Sequence, residues 1–420
     1  MSPSDSERFD TQPRILGGTA GFRLPLADGE GVGMEKPLVD LSRLIGRSRD
    51  MAREREELPL LMARFEAIAA EQRAERVPAD SELRTWAFCE WLIEKGRELT
   101  CCDALRAEET AALAAAITDR LDTQLYGAAL VQDLRARARI CLGDALRHRP
   151  DLRAADEALS FAESFLDDGT GDTLEVGYLL EVRAALRRDQ RRLPEAHRFV
   201  DDAVAVYRRY REFHLLGRAF VEKGRIHAAA HDLETAIQWL RKGLGLLDPT
   251  RERLLELAAR HLLMLCLLES GRAQEAGFLL KASRSEFDVH AGELLRLRVL
   301  WLEGKIHQSL GELVEAERDL VGARRGFIEQ GAGFDAAAVS LDLASLFAVQ
   351  GRASEIRLLA EEMLPIFQAR DLHREAIAAL IVFRQAVRME RVSESLLREI
   401  QLYLERARKD HRLRFEPDTE

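Results

Sequence analysis

Arg298, Trp301, Lys305 and Gln308 are spaced by three, four and three residues, so on a helix they share one face. Two cations beside an indole suit the gripping of an acidic or carboxylate-ended ligand, with the ring supplying apolar contact area. That is the chemistry of holding a molecule. The residue patterns that would transform one do not occur. The chain has no G-x-x-x-x-G-K-[ST], no H-E-x-x-H and no G-x-S-x-G, which removes the best-marked phosphate, zinc and serine-hydrolase sites. The glycines of GGTAGF (17–22) and GEGVG (29–33) follow no strand pattern and open no helix, which argues against a dinucleotide loop. Cys101 and Cys102 are adjacent rather than set as C-x-x-C, and read as residues of a helix end. The acidic loop Asp167–Asp172 lacks the closing bidentate glutamate of a calcium loop and reads as a turn. His227 and His307 occupy equivalent places in a repeat, where packing explains them. With no cluster of titratable residues at catalytic spacing, the expectation is a non-enzymatic chain with no cofactor and no metal.

Composition bounds the remaining classes. Hydrophobic residues make up 47% and charged residues 32% of 420, so the chain can bury a large core. The formal net charge of −10 opposes nucleic-acid binding by the chain as a whole, because phosphate neutralisation needs clustered cations. No run of 18 apolar residues is present, which excludes a membrane helix. The N-terminus, MSPSDSERFD, lacks the basic-then-apolar order of a secretory signal. Five cysteines, odd in number and mostly in helical apolar patterns, fit reduced thiols of a cytoplasmic protein.

The elements that must position these residues are helices. Residues 1–48 carry six of the glycines between Gly17 and Gly33, with Pro3, Pro13, Pro25 and Pro37, and show no helical period. They read as a disordered or extended segment. A helix is expected from Met51 to about Arg76, an array over 49–410, and a polar tail over 411–420. Within the array Ala196, Ala236, Ala276 and Ala316 stand 40 residues apart, in LPEAHRFV, LETAIQWL, AQEAGFLL and LVEAERDL, and the register continues at Ile356 and Leu396. Five residues before each lies a turn position: Arg191, His231, Gly271, Gly311 and Gly351. Glycine just past a helix end closes it in the left-handed conformation. In one unit, Leu294 to Leu310 forms a broadly apolar first helix, and Leu313, Ala316, Leu320, Ala323 and Phe327 form the buried stripe of a second. Extending that unit both ways yields about eight hairpins, at 82–121, 124–168, 173–211, 213–247, 251–289, 292–331, 333–371 and 373–409. No segment reads as a strand.

This pattern resembles the tetratricopeptide repeat family. Ala236, Ala276 and Ala316 match its first small residue in the second helix, Ala323 the second, and Gly224, Gly304 and Ala344 the small residue of the first helix. The period of 40 exceeds the family's usual one, a longer form similar to the sensor arrays of bacterial regulators. The resemblance implies an all-α, right-handed solenoid without β-sheet, whose concave groove binds proteins or peptides. Carried over by register, it places Arg218, Arg225, His261, Arg298, Trp301, Lys305 and Gln308 in that groove, followed by a smooth apolar stretch at Ala338, Leu341, Ser345 and Ala348. The middle of the groove is therefore expected to be cationic, suited to a protein or peptide with an acidic segment. The alternative pairing of these arginines with Glu and Asp of neighbouring helices gives a neutral groove. The functional expectation is a scaffold or adaptor. The second reading is a ligand- or peptide-sensing regulatory subunit lacking its own DNA-binding domain.

Overall fold

The computed structural model describes residues 37–100, 103–149, 151–368, 383, 387 and 394–407. Contacts divide the chain into two units, residues 1–49 and 50–420. Of the first unit only the start of helix α1 (Pro37–Glu66) is described. The helix thus begins before Met51, inside the segment expected to lack one. Pro37 suits a first helical turn, and Leu38, Leu41, Leu44 and Ile45 repeat at threes and fours. Residues 1–36, the adjacent Cys101 and Cys102, and the tail 411–420 lie outside the described residues. So does the first helix of the eighth hairpin, apart from residues 383 and 387.

After the short α2 (Arg73–Ala79), helical hairpins follow one another along the second unit. They pair α3 (Trp86–Thr100) with α4 (Ala104–Thr118) and, after the one-turn α5 (Thr123–Tyr126), α6 (Ala128–His148) with α7 (Leu152–Asp167). The third and fourth pair α8 (Thr173–Asp189) with α9 (Leu193–Tyr210) and α10 (Phe213–Ala229) with α11 (Leu233–Leu244). The fifth and sixth pair α12 (Arg253–Glu269) with α13 (Ala273–His290) and α14 (Glu293–Leu310) with α15 (Leu313–Glu329). The seventh pairs α16 (Gly333–Val349) with α17 (Ala353–Gln368), and α18 (Glu394–Ala407) is the last described helix. Among the described residues there is no strand, and no helix is long and apolar enough to cross a membrane. The fold is an all-α solenoid.

The hairpin turns share one construction. Arg191, His231, Gly271, Gly311 and Gly351 have φ of +60°, +59°, +79°, +82° and +71°. The residue after each donates its N–H five residues back, as in Asp232 to His227 O at 3.0 Å and Glu312 to His307 O at 2.9 Å. This satisfies carbonyls that a helix end would leave bare. Aspartates close the other ends: Asp103, Asp151, Asp172 and Asp232 each accept a backbone N–H at a helix N-cap.

Small residues set the distance within hairpins. A Cβ on Gly143, Gly224 or Gly304 would come within 2.6–2.8 Å of Leu159, Leu240 or Leu320 respectively. In each case the leucine lies four residues beyond the repeat's small position, and Ala236, Ala276 and Ala316 there are fully buried. The core forms as successive clusters, each shared by neighbouring hairpins, from Ile68 to Cys141 at one end to Leu297 to Leu404 at the other. Such an array is stabilised by each unit and its neighbours. The acidic loop after α7 is an inter-hairpin turn: Asp133 of α6 accepts from Thr170 N and, at 2.6 Å, from Thr170 Oγ1.

Candidate functional site

The first helices of the hairpins, α3, α6, α8, α10, α12, α14 and α16, together line a cavity of about 930 Å³ on the inside of the array, joined by Leu404 of α18. Arg218, Arg225, His261, Arg298, Trp301 and Lys305 all line it. Gln308 does not; it is half-buried near the end of α14. Of the stretch expected to be smooth, Ala338 lines the cavity, whereas Leu341 is fully buried in the core that α16 shares with α18.

The lining is not a cationic patch. It contains nine arginines and lysines and nine aspartates and glutamates, because cations on one hairpin meet carboxylates on the next. Arg147 contacts Asp144 and, on the following hairpin, Asp189, both at 2.7 Å. Arg188 reaches onward to Glu222 at 2.7 Å, and Arg225 approaches the same Glu222 at 3.5 Å. Arg218 holds Glu181 at 3.0 Å and Glu252 at 2.9 Å. Arg298 meets Asp335 at 3.4 Å. The side chains of Asp189 and Glu222 are only 4% exposed, so these pairs form a ladder along α6, α8 and α10 away from solvent. Burial pushes the Asp144 carboxyl up, but the charges of Arg147 and His148 outweigh it, so the net shift is downward. For Glu181 burial wins over the pull of Arg218, and its carboxyl is raised. The Tyr207 hydroxyl donates to Glu181 at 3.1 Å.

Part of the lining is apolar. On α12, Leu255, Ala258, Leu262 and Leu265 are spaced by three, four and three residues, half-buried, and all line the cavity. The leucines of this stripe rest on the core on their other side. Leu295 and Leu302 of α14 and Phe334 of α16 extend the wall. Trp301 belongs to it. Its Nε1 donates to Asp342 at 2.6 Å, and Asp342 also accepts from Gln401 of α18 at 2.6 Å. The ring meets Phe327 edge-on at 6.2 Å, with the Lys305 ammonium 5.7 Å from its centroid. The indole N–H is thus satisfied locally while the ring stays half-buried beside the cavity. Burial, with the nearby charge of Arg298, lowers the His261 imidazole to about 4, so it is neutral at pH 7. His227 and His307 hold Asp232 and Asp319 at 3.0 and 2.8 Å, which is a packing role.

Sequence reasoning missed the acidic half of the lining and the α12 stripe. Both left a signal. Glu94 and Arg97, Asp144 and Arg147, and Glu222 and Arg225 repeat an acid–arginine pair three residues apart on three first helices, the spacing of side-chain pairs. The α12 segment LLELAARHLLMLCLLE is apolar around most of its circumference, which a helix with one open polar face would not be.

No family model matches this chain, and no curated protein matches it. Among solved structures, the crystal structure of Rap protein complexed with Competence and Sporulation Factor is similar to it. The identity is 13% and the TM-score 0.43, over 74% of this chain and 99% of that one. The chain is an all-α array of helical hairpins. That statement rests on its own hairpins, with their shared turns and small-residue contacts.

Proposed function

We propose that this chain is a non-enzymatic scaffold or adaptor that holds a peptide or protein segment in its concave cavity. The observation that carries the reading is the mixed lining of the cavity. Its lining combines an ion-paired ladder on α6, α8 and α10 with the half-buried aliphatic stripe of α12, extended by α14 and α16. A ladder already neutralised from within contributes register and polarity. The stripe contributes apolar area that a ligand can cover, and a cavity of this volume is in the range of ligand sites. The favoured ligand is therefore a segment with an aliphatic side, in place of a polyacidic one. Cytoplasmic residence fits the buried thiols of Cys89, Cys141 and Cys266.

A second reading, a regulatory subunit that responds to its ligand, is favoured by one contact. Arg97 of α3 reaches Glu252, 155 residues later, at 3.4 Å, so the array is tied across its own inside. Occupancy of the cavity can then alter curvature, since small shifts between neighbouring repeats add along an array.

The test is a fluorescent positional-scanning hexapeptide library titrated against the full chain. Ala258→Trp fills the cavity beside the stripe without adding charge. It is expected to weaken the best peptides about tenfold or more with unchanged far-ultraviolet circular dichroism. Undiminished binding by the folded variant would place the ligand elsewhere.

A further inference from the structure

The link between α11 and α12 departs from the others. Two residues join α9 to α10 and α13 to α14, whereas eight, Gly245–Glu252, join α11 to α12. Helix α11 stops after 12 residues, where α13 runs for 18. The added linker ends on Glu252, the N-cap of α12, whose side chain caps nothing and instead enters the cavity lining. There its carboxylate accepts from Arg218 at 2.9 Å and from Arg97 at 3.4 Å. Both guanidinium groups also lie over the ring of Tyr178, with Arg97 at 4.9 Å and Arg218 at 5.6 Å from its centroid.

Two features make Glu252 a replaceable occupant. Arg97 is weakly engaged: its carboxylate contacts are 3.4 Å to Glu252 and 3.7 Å to Glu94, against about 2.7–2.9 Å for a well-made charge-assisted bond. Arg218 would not be stranded by the loss, because Glu181 holds it at 3.0 Å from the other side. The side chains of Arg97 and Glu252 are 31% and 26% exposed, so the place is reachable from the cavity.

We propose that Arg97 and Arg218, stacked on Tyr178, form a carboxylate-recognition site, and that Glu252 fills it as an internal stand-in for the carboxylate of a ligand. This rests on reading the cavity as a peptide groove. The stripe begins at Leu255, three residues after Glu252. A carboxylate that replaces that of Glu252 therefore sits at the head of the apolar wall, with the residues before it laid along Leu255, Ala258 and Leu262. The ligand is a peptide whose free C-terminal carboxylate follows aliphatic residues. Its binding releases the Arg97–Glu252 contact that ties α3 to the start of α12.

The experiment compares the hexapeptide library made as free acids and as C-terminal amides, titrated against the parent and the variants Glu252→Gln and Arg97→Gln. Glu252→Gln removes the competitor and is expected to bind free acids about tenfold tighter than the parent while leaving the amides unchanged. Arg97→Gln is expected to lose the preference for acids with its circular dichroism intact. Equal affinity for acids and amides in Glu252→Gln overturns the carboxylate site and leaves the groove reading standing. Absence of binding by both libraries in all three proteins overturns both.

Discussion

Gly304 is the point at which a hairpin is closest to its limit. A methyl group there would meet Leu320 Cγ at 2.8 Å and Leu320 N at 3.2 Å, and the backbone nitrogen cannot turn away as a flexible side chain would. Gly277, also in a helix, would place its methyl 3.5 Å from Ile306 and near nothing else. Replacing a helical glycine by alanine gains about 0.5–1 kcal/mol from backbone entropy, while overpacking a core costs about 1–3 kcal/mol. Gly304→Ala is therefore expected to be net destabilising and Gly277→Ala stabilising by up to about 1 kcal/mol. Urea midpoints should move in opposite directions, and a shared direction would refute the close-approach account. These positions were legible in the sequence because a period of 40 aligns them. The turns were legible for the same reason: Arg191 and His231 adopt positive φ where later repeats place glycine, against their own preference.

At the scale of the helix, the sequence told which face is buried but not which charges meet. Six of the seven groove positions line the cavity because register along one helix dictates direction. The carboxylates that meet Arg218 and Arg298 come from other hairpins, 34 to 37 residues away in Arg218–Glu252, Arg218–Glu181 and Arg298–Asp335. That pairing depends on how hairpins stack, which periodicity does not encode. It also shapes the response to pH. His148, at the end of α6, and His261, on α12, are both lowered to about 4, in each case by burial first and a neighbouring arginine second. The unfolded chain takes up these protons near pH 6.5, the ordinary value, whereas the folded chain refuses them until about 4. The unfolded state thus binds more protons within that window, and stability falls as pH drops through it. Urea midpoints measured from pH 7 to 4.5 should decline, and the decline should be shallower in His148→Gln and His261→Gln. Parallel curves for parent and variants would show that these imidazoles are already charged in the fold.

From the second to the fourth hairpin the ladder of ion pairs and the core clusters run side by side, so the interfaces there have an apolar side and an ionic side. Arg188 sits at the interface of the third and fourth hairpins, bonded to Glu222 at 2.7 Å and near Asp189 at 3.3 Å. Asp189 keeps Arg147 if Arg188 is removed. Glu222 keeps only the 3.5 Å contact with Arg225 and remains buried. Breaking one partner of a buried pair costs about 3–5 kcal/mol, whereas replacing both by apolar groups of similar shape is close to neutral. Arg188→Met is accordingly expected to destabilise strongly, and Arg188→Met with Glu222→Leu to recover most of the loss. Because each repeat touches mainly its neighbours, the single variant should also weaken one interface and leave the rest whole. Hydrogen exchange would then show α3 to α9 and α12 to α17 losing protection at separate urea concentrations, where the parent loses it together. If the single variant unfolds in one step and the double variant is no better, the ladder contributes nothing to cohesion and the apolar clusters alone hold the array in its curve.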